Sequence, residues 1–272
     1  MRARSFGGGG LLLPSGARIF ISGYANDKIY QYDMTTPGDI STASFTQDFS
    51  VSAQDTQPAG IFFKPDGLKM YVVGRVNRTI YQYNLTSPYD ISTASFFTSR
   101  SVLTQDDAPV DLYISDDGLK MFMLGNSNDY VYEYNLTNPW TINSATYTFK
   151  RFYTFTYESA ADALTFNPDG TKMYFGGSGN GRIHEFTLST PFDFAGTETY
   201  VGNSFYQSPN GFCFNEDGTK AYSVKGYSDD LLYEWNLSTP YDSLSNTVAN
   251  TFSLGPRDSA PVGVFLNRAV YS

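Results

Sequence analysis

The chain has 272 residues, with 18 Lys+Arg against 27 Asp+Glu for a formal charge of −9, and 17% of it is aromatic. That aromatic content excludes a disordered chain, the acidic balance argues against a phosphate-gripping nucleic-acid module, and no run approaches the roughly 20 apolar residues of a membrane helix. A single cysteine, Cys213, excludes an intramolecular disulfide framework and a Cys-based zinc cluster.

In chain order, Met1-Arg2-Ala3-Arg4-Ser5-Phe6 and the glycines Gly7 to Gly10 lead into Leu11-Leu12-Leu13-Pro14. Leu11 to Leu13 is too short for the apolar region of a secretory signal, so residues 1–8 read as an N-terminal arm. From there one pattern governs the chain. Ile61-Phe62-Phe63-Lys64-Pro65-Asp66-Gly67-Leu68-Lys69-Met70-Tyr71 is echoed at 112–122, 164–174 and 212–222, with a weaker copy at 10–20. The anchor glycines Gly16, Gly67, Gly118, Gly170 and Gly218 are spaced 51, 51, 52 and 48 residues apart, a signature of stacked structural repeats.

Each unit reads as four short strands. Ile61 to Phe63 is apolar and ends in a Pro-Asp-Gly turn, where Pro presets φ, Asp bonds back to the chain and Gly accepts φ > 0. Lys69 to Val73 and Thr79 to Leu85 follow with period two. After Thr86-Ser87-Pro88, Asp90 is placed to cap a helical turn over Ile91 to Ala94, and a fourth strand starts near Ser95. The repeated four-strand unit predicts an all-β fold, a β-propeller of four-stranded blades; a β-solenoid would use shorter periods. Residues 9–259 hold five such repeats. Ala260-Pro261-Val262-Gly263-Val264-Phe265-Leu266 matches Gln57 to Phe63, so residues 260–272 read as a partial sixth repeat. The expectation is a six-position ring with an incomplete closing blade. Its edges around Val264 to Phe265 and Ala269 to Tyr271 would then be open to another chain.

The phrases from Phe63 to Tyr71 and from Tyr81 to Pro88 resemble the repeats of YVTN/lactonase-type propellers. The phrase Pro88-Tyr89-Asp90-Ile91-Ser92-Thr93-Ala94-Ser95-Phe96, recurring as Pro37 to Phe45, resembles repeats of bacteriophage virion and tail proteins and of marine bacterial surface proteins. The first resemblance implies the propeller fold and, in its lactonase-like members, a metal held in the central channel by Glu, Asn and Asp. Asp111 is the nearest match in this chain. Its counterparts Gly60, Ala163, Gly211 and Gly263 carry no ligand atoms, so the resemblance delivers no active site. The second resemblance implies a virion component.

Chemistry-bearing residues are sparse. The only histidine, His184, stands where other repeats place Tyr30, Tyr81, Tyr132 and Tyr233, and Cys213 lies between Phe212 and Phe214. Both read as packing residues, and no Ser-His-Asp arrangement can be built on them. Asp55, Asp106, Glu158 and Asp258 occupy a repeated position in the loop that enters each first strand; Arg4 and Tyr206 match it elsewhere. Converging on one channel mouth, the four acids would hold a divalent cation such as calcium. The competing reading, favoured by the repetition, is that each acid caps its own loop. Tyr89, Trp140, Phe192 and Tyr241 each follow a proline, and read either as sugar-stacking platforms or as covers for the outer strands. The variable loops between second and third strands supply further binding candidates: Tyr24, Arg75, Arg78, Asn126, Asp129, Tyr227, Asp229 and Asp230.

The expected function is non-enzymatic, a binding or structural propeller of a phage virion or tail. Its expected partners are other virion subunits, a second copy of the chain or a host-surface glycan, with no nucleic acid, no membrane insertion and no cofactor other than the cation named above. The alternatives are a bacterial extracellular or cell-surface adhesion module and a lactonase-like, metal-dependent hydrolase. The lack of a secretory signal favours a virion location over an extracellular or cell-surface one.

Overall fold

A computed structural model describes residues 11–205, 207–226, 229–255 and 257–271. The arm expected over 1–8, together with Tyr206 and Tyr227, lies outside them. The architecture is all-β: five four-stranded antiparallel blades around one axis, plus a two-stranded pairing of Leu11–Leu13 with Val270–Tyr271. Blade two runs outward through Pro58–Phe63, Lys69–Gly74, Thr79–Asn84 and Ser95–Ser101. Blade three comprises Pro109–Ile114, Lys120–Gly125, Tyr130–Leu136 and Ala145–Tyr153. Blade four is Ala161–Phe166, Lys172–Gly177, Ile183–Leu188 and Glu198–Ser204, and blade five is Gly211–Phe214, Lys220–Lys225, Leu231–Leu237 and Asn246–Ser253.

The expected sixth blade does not exist as such. Pro261–Leu266 pairs with Arg18–Gly23, Val264 opposite Ile21, and becomes the innermost strand of blade one, followed outward by Lys28–Met34 and Ala43–Ser50. This pairing satisfies the inner edge of Arg18–Gly23, which would otherwise leave backbone groups unbonded in the core. The edges expected to be open are therefore paired: Val264 with Ile21, and Val270 with Leu13.

Burial explains the composition of each strand. The inner strands Pro58–Phe63 and Pro109–Ile114 are buried at every residue, because they touch the axis on one side and both neighbouring blades on the others. The outer strand Ala43–Ser50 alternates half-buried and exposed, as one solvated face requires. Asp90 caps the short 3-10 turn Ile91–Thr93 as expected, accepting a hydrogen bond from Ser92 N at 3.1 Å.

Two devices hold the blades in place. The first is a ring above the repeat turn in blades two to five. Gly67 has φ +72°, and a Cβ there would lie 2.4 Å from Cδ2 of Tyr89, whose own φ is +54°. Trp140, Phe192 and Tyr241 cover Gly118, Gly170 and Gly218 in the same way. The second device is a buried acceptor in each third strand that reaches the next blade. Gln31 Oε1 accepts from Ile91 N at 3.4 Å, Gln82 Oε1 from Ile142 N at 3.1 Å and Glu133 Oε2 from Phe194 N at 3.0 Å. Glu185 Oε2 accepts from Ser243 N at 2.8 Å, and Glu234 Oε2 from Ile40 N at 3.0 Å, which closes the circle. The three glutamates are neutralised by Lys120, Lys172 and Lys220 at 2.6, 2.7 and 2.5 Å.

Gly67→Val should lower stability by more than the about 1–3 kcal/mol of a left-handed non-glycine residue, since the Tyr89 ring must also move; thermal melts measure it. Glu234→Ala strips Ile40 N of its acceptor and Lys220 of its counter-charge and should cost about 3–5 kcal/mol by denaturant titration. Glu234→Gln should cost much less, because Gln31 and Gln82 already perform the same bridging in blades one and two.

Candidate functional site at the loop-face mouth

The second-to-third-strand loops and the loops entering the inner strands share one face. There Tyr24, Arg75 and Asn126, the first residues of three variable loops, come to the channel mouth. Tyr24 and Arg75 line a cavity of about 20 Å³ together with Ala59, Val110, Asp162, Asn210 and Val262. That is room for one water. Asn126 joins them by donating from Nδ2 to Asp162 Oδ1 at 2.9 Å.

Asp162 and Asn210 were not singled out by sequence. They occupy the position that is Ala59, Val110 and Val262 in the other inner strands, and a polar residue at a repeated apolar site was the available signal. The amides around Asp162 are oriented by the backbone: Asn126 Nδ2 also donates to the Ala161 carbonyl at 3.1 Å, and Asn210 Oδ1 accepts from Gly226 N at 3.0 Å. Asn210 Nδ2 thus faces Asp162 Oδ2, at 3.5 Å. Burial pushes the Asp162 carboxyl up to about 6, against the opposing pull of the Arg75 guanidinium and the Asn126 amide. A carboxylate with that value, beside a cation and a water-sized space, is equipped to take a proton near neutral pH.

Deeper in the channel Asp111 is buried and carries no free acceptor edge. Its Oδ1 accepts from Leu112 N at 2.9 Å and its Oδ2 from Leu164 N at 2.8 Å, and Gly60 is opposite because a Cβ there would lie 2.2 Å from Oδ1. Burial pushes its carboxyl up to about 8.

The four repeated acids do not converge. Asp55 accepts from Gln57 N and Asn77 N, both at 2.8 Å; Asp106 from Ala108 N at 2.8 Å and Asn128 N at 2.9 Å. Glu158 accepts from Asn180 N at 3.0 Å and Asp258 from Ala260 N at 2.8 Å. Each acid ties its own pair of loops together, with Gly74, Gly125 and Gly23 leaving room for Asp55, Asp106 and Asp258. Among the described residues no three His, Cys, Asp or Glu side chains gather as a metal site. The channel metal implied by lactonase-like propellers does not fit this donor set, because the carboxylates face N–H groups.

Other expected positions resolve into structure. Tyr89 and Trp140 are buried and Phe192 and Tyr241 half-buried over their glycines, so these rings are not open sugar platforms. Arg78, Asp129 and Asp230 end their loops at φ +50°, +59° and +49°, where their carbonyls accept from Val102 N, Thr154 N and Leu254 N at 2.9, 2.8 and 2.7 Å. Arg78 also pairs with Asp107 at 3.1 Å, and Asp229 pairs with Lys225. Tyr227 lies outside the described residues. His184 packs against Phe175, Tyr157 and Tyr200 with Nε2 3.0 Å from Asn180 Nδ2, and burial pushes it down to about 4. Burial pushes the Cys213 thiol up to about 12.

No protein-family model and no curated protein matches the chain. Solved structures do. A chain of a nidogen/laminin complex is 10% identical with a TM-score of 0.59, over 92% of this chain and 97% of that one. A 6-phosphogluconolactonase-like protein of Bacteroides fragilis is 12% identical with a TM-score of 0.53, over 93% and 85%. The periplasmic gluconolactonase of Pseudomonas aeruginosa is 12% identical with a TM-score of 0.50, over 93% and 70%. At such identities the likeness carries the fold. It agrees with the lactonase-type propeller resemblance, and nothing in it points to a virion component. The expectation of a non-enzymatic protein does not stand: the matching folds include proteins named as gluconolactonases.

Asp111 also predicts a pH dependence. Its folded value lies above the ordinary 3.8, so the stability tied to its neutral form is complete below about 4 and is lost as pH rises through about 8. Melting temperature should fall between pH 6 and pH 8 and level off above, and Asp111→Asn should flatten that slope.

Proposed function

We propose that the chain is a hydrolase of small polyhydroxylated lactones or esters, acting at the loop-face mouth. The observation that carries this reading is the Asp162 carboxylate, raised to about 6 beside a cavity of water size, with Arg75 on the same wall. The gluconolactonases among the matching folds support it.

Asp162 takes a proton from a water in that cavity while the water oxygen bonds to the substrate's acyl carbon. The carbonyl electron pair moves onto oxygen, where the Arg75 guanidinium offsets the charge. Collapse of this adduct breaks the acyl–oxygen bond, and the departing alkoxide recovers the proton from Asp162. The product is a hydroxy acid. The cavity admits only the water, so the substrate lies across the mouth, within reach of Tyr24 and the Asn126 and Asn210 amides.

Proton release from a panel of aldonic acid lactones, measured above the spontaneous rate, tests this. Activity should rise with pH through about 6, as Asp162 ionises. Asp162→Asn should lower it by about 10²–10⁴-fold, the usual contribution of a general base, with the fold retained by circular dichroism. Absence of hydrolysis by the unmodified chain, or an unchanged rate in the variant, overturns the reading.

A further inference from the structure

The repeat between Gly118 and Gly170 is 52 residues long where its two predecessors are 51, and the outer strand of blade three shows an extra residue. In blade two Tyr83 faces Phe96 and Gln82 faces Thr98, so the outer strand skips one residue in a bulge. Blades one, four and five skip one as well. In blade three Tyr134 faces Tyr147 but Tyr132 faces Arg151, a skip of two. The longer bulge holds Phe149 at φ +65° with 86% of its surface exposed. A left-handed non-glycine backbone is strained, and a ring this exposed returns little through burial. Folding therefore disfavours Phe149 twice.

Phe149 stands at one end of a run of rings along this edge. It lies 5.1 Å from Tyr147, which is 5.9 Å from Tyr132, and Tyr130 is 5.1 Å from Tyr153. Two cations accompany the rings in a chain whose net charge is −9. The Arg151 guanidinium sits 4.1 Å over the Tyr130 ring. From the edge of blade two, Arg100 acts on Tyr134, itself 5.6 Å from Tyr147. Arg100 Nε and Tyr134 OH are both buried without a hydrogen-bond partner among the described residues. The long bulge breaks the ladder that a strand from another chain would need to extend. Flat apolar rings beside two arginines suit a ligand with flat faces and carboxylates.

We propose that the outer edge of blade three, on its side toward blade two, binds an acidic polysaccharide. Pyranose faces stack on Phe149 and Tyr147, and uronate carboxylates meet Arg100 and Arg151. This site is separate from the loop-face mouth and does not depend on it.

Titration calorimetry of the chain with oligogalacturonate, and with a neutral galactose oligomer of equal length, tests the assignment. Oligogalacturonate should bind, the neutral oligomer at least tenfold more weakly. Phe149→Gly relaxes the left-handed backbone, so its melting temperature should hold or rise while affinity for oligogalacturonate falls at least tenfold. That opposition separates a binding role from a structural one. No binding to the unmodified chain, equal binding of the neutral oligomer, or unchanged affinity in Phe149→Gly overturns the proposal. So does a concentration-dependent dimer in sedimentation that Phe149→Gly abolishes, which would give the face to a second copy.

Discussion

A third-strand side chain in each blade must satisfy a backbone N–H that belongs to the next. Gln31, Gln82, Glu133, Glu185 and Glu234 all lie buried, and a buried acceptor without its donor is costly. The angular position of each blade is therefore set by hydrogen bonds rather than by apolar contact alone, which is non-directional. Where the acceptor is an acid, a lysine of the adjacent second strand compensates its charge, and Lys172 and Lys220 go on to bond the carbonyls of Tyr241 and Gly38 on the neighbouring blade at 2.9 and 2.8 Å. In blades two to five the turn that receives these bonds has its aromatic residue folded back over the glycine of the same blade; in blade one Gly38 lies there against Gly16 instead.

That arrangement explains why some features were legible in the sequence and others were not. The repeat length, the four-strand unit, the Pro-Asp-Gly turn and the Asp90 cap are local, written within about ten residues of where they act. Ring closure is not local: Pro261–Leu266 resembles every other first strand, and nothing in its sequence says that its partner lies more than two hundred residues away at Arg18–Gly23. The rings after proline mislead for a related reason. A turn position suggests exposure, but a φ of +54° at Tyr89 redirects its ring inward, onto a glycine that leaves space for it. The repeated acids were legible as loop caps, since each bonds N–H groups of the two loops beside it.

What the repeat does not demand is where the candidate chemistry lies. Asp162 and Asn210 replace apolar residues at one level of the inner strands, on adjacent blades, so that two departures from the pattern become one site. His184 is also a departure, yet it sits among aromatic rings and stays neutral. Asp111 replaces a small residue, and both of its oxygens are spent on backbone donors. A change of residue type within a repeat is thus a useful sign only when the new group reaches solvent. Asp162 does so through the water-sized opening at the mouth.

The strand that closes the ring has a consequence for how the chain is made. Blades two to five are each built from consecutive segments, so their hairpins can form as they leave the ribosome. Blade one cannot. Arg18–Gly23 is synthesised early and stays without its inner neighbour until Leu266 has emerged, almost the whole length of the chain later. During that interval its edge is a template for any passing strand, and the joining of distant segments is the slow, aggregation-exposed step of such topologies. The inner edge of Arg18–Gly23 is therefore the stretch of the nascent chain most exposed to wrong pairing, and it stays so until Pro261–Leu266 docks on it.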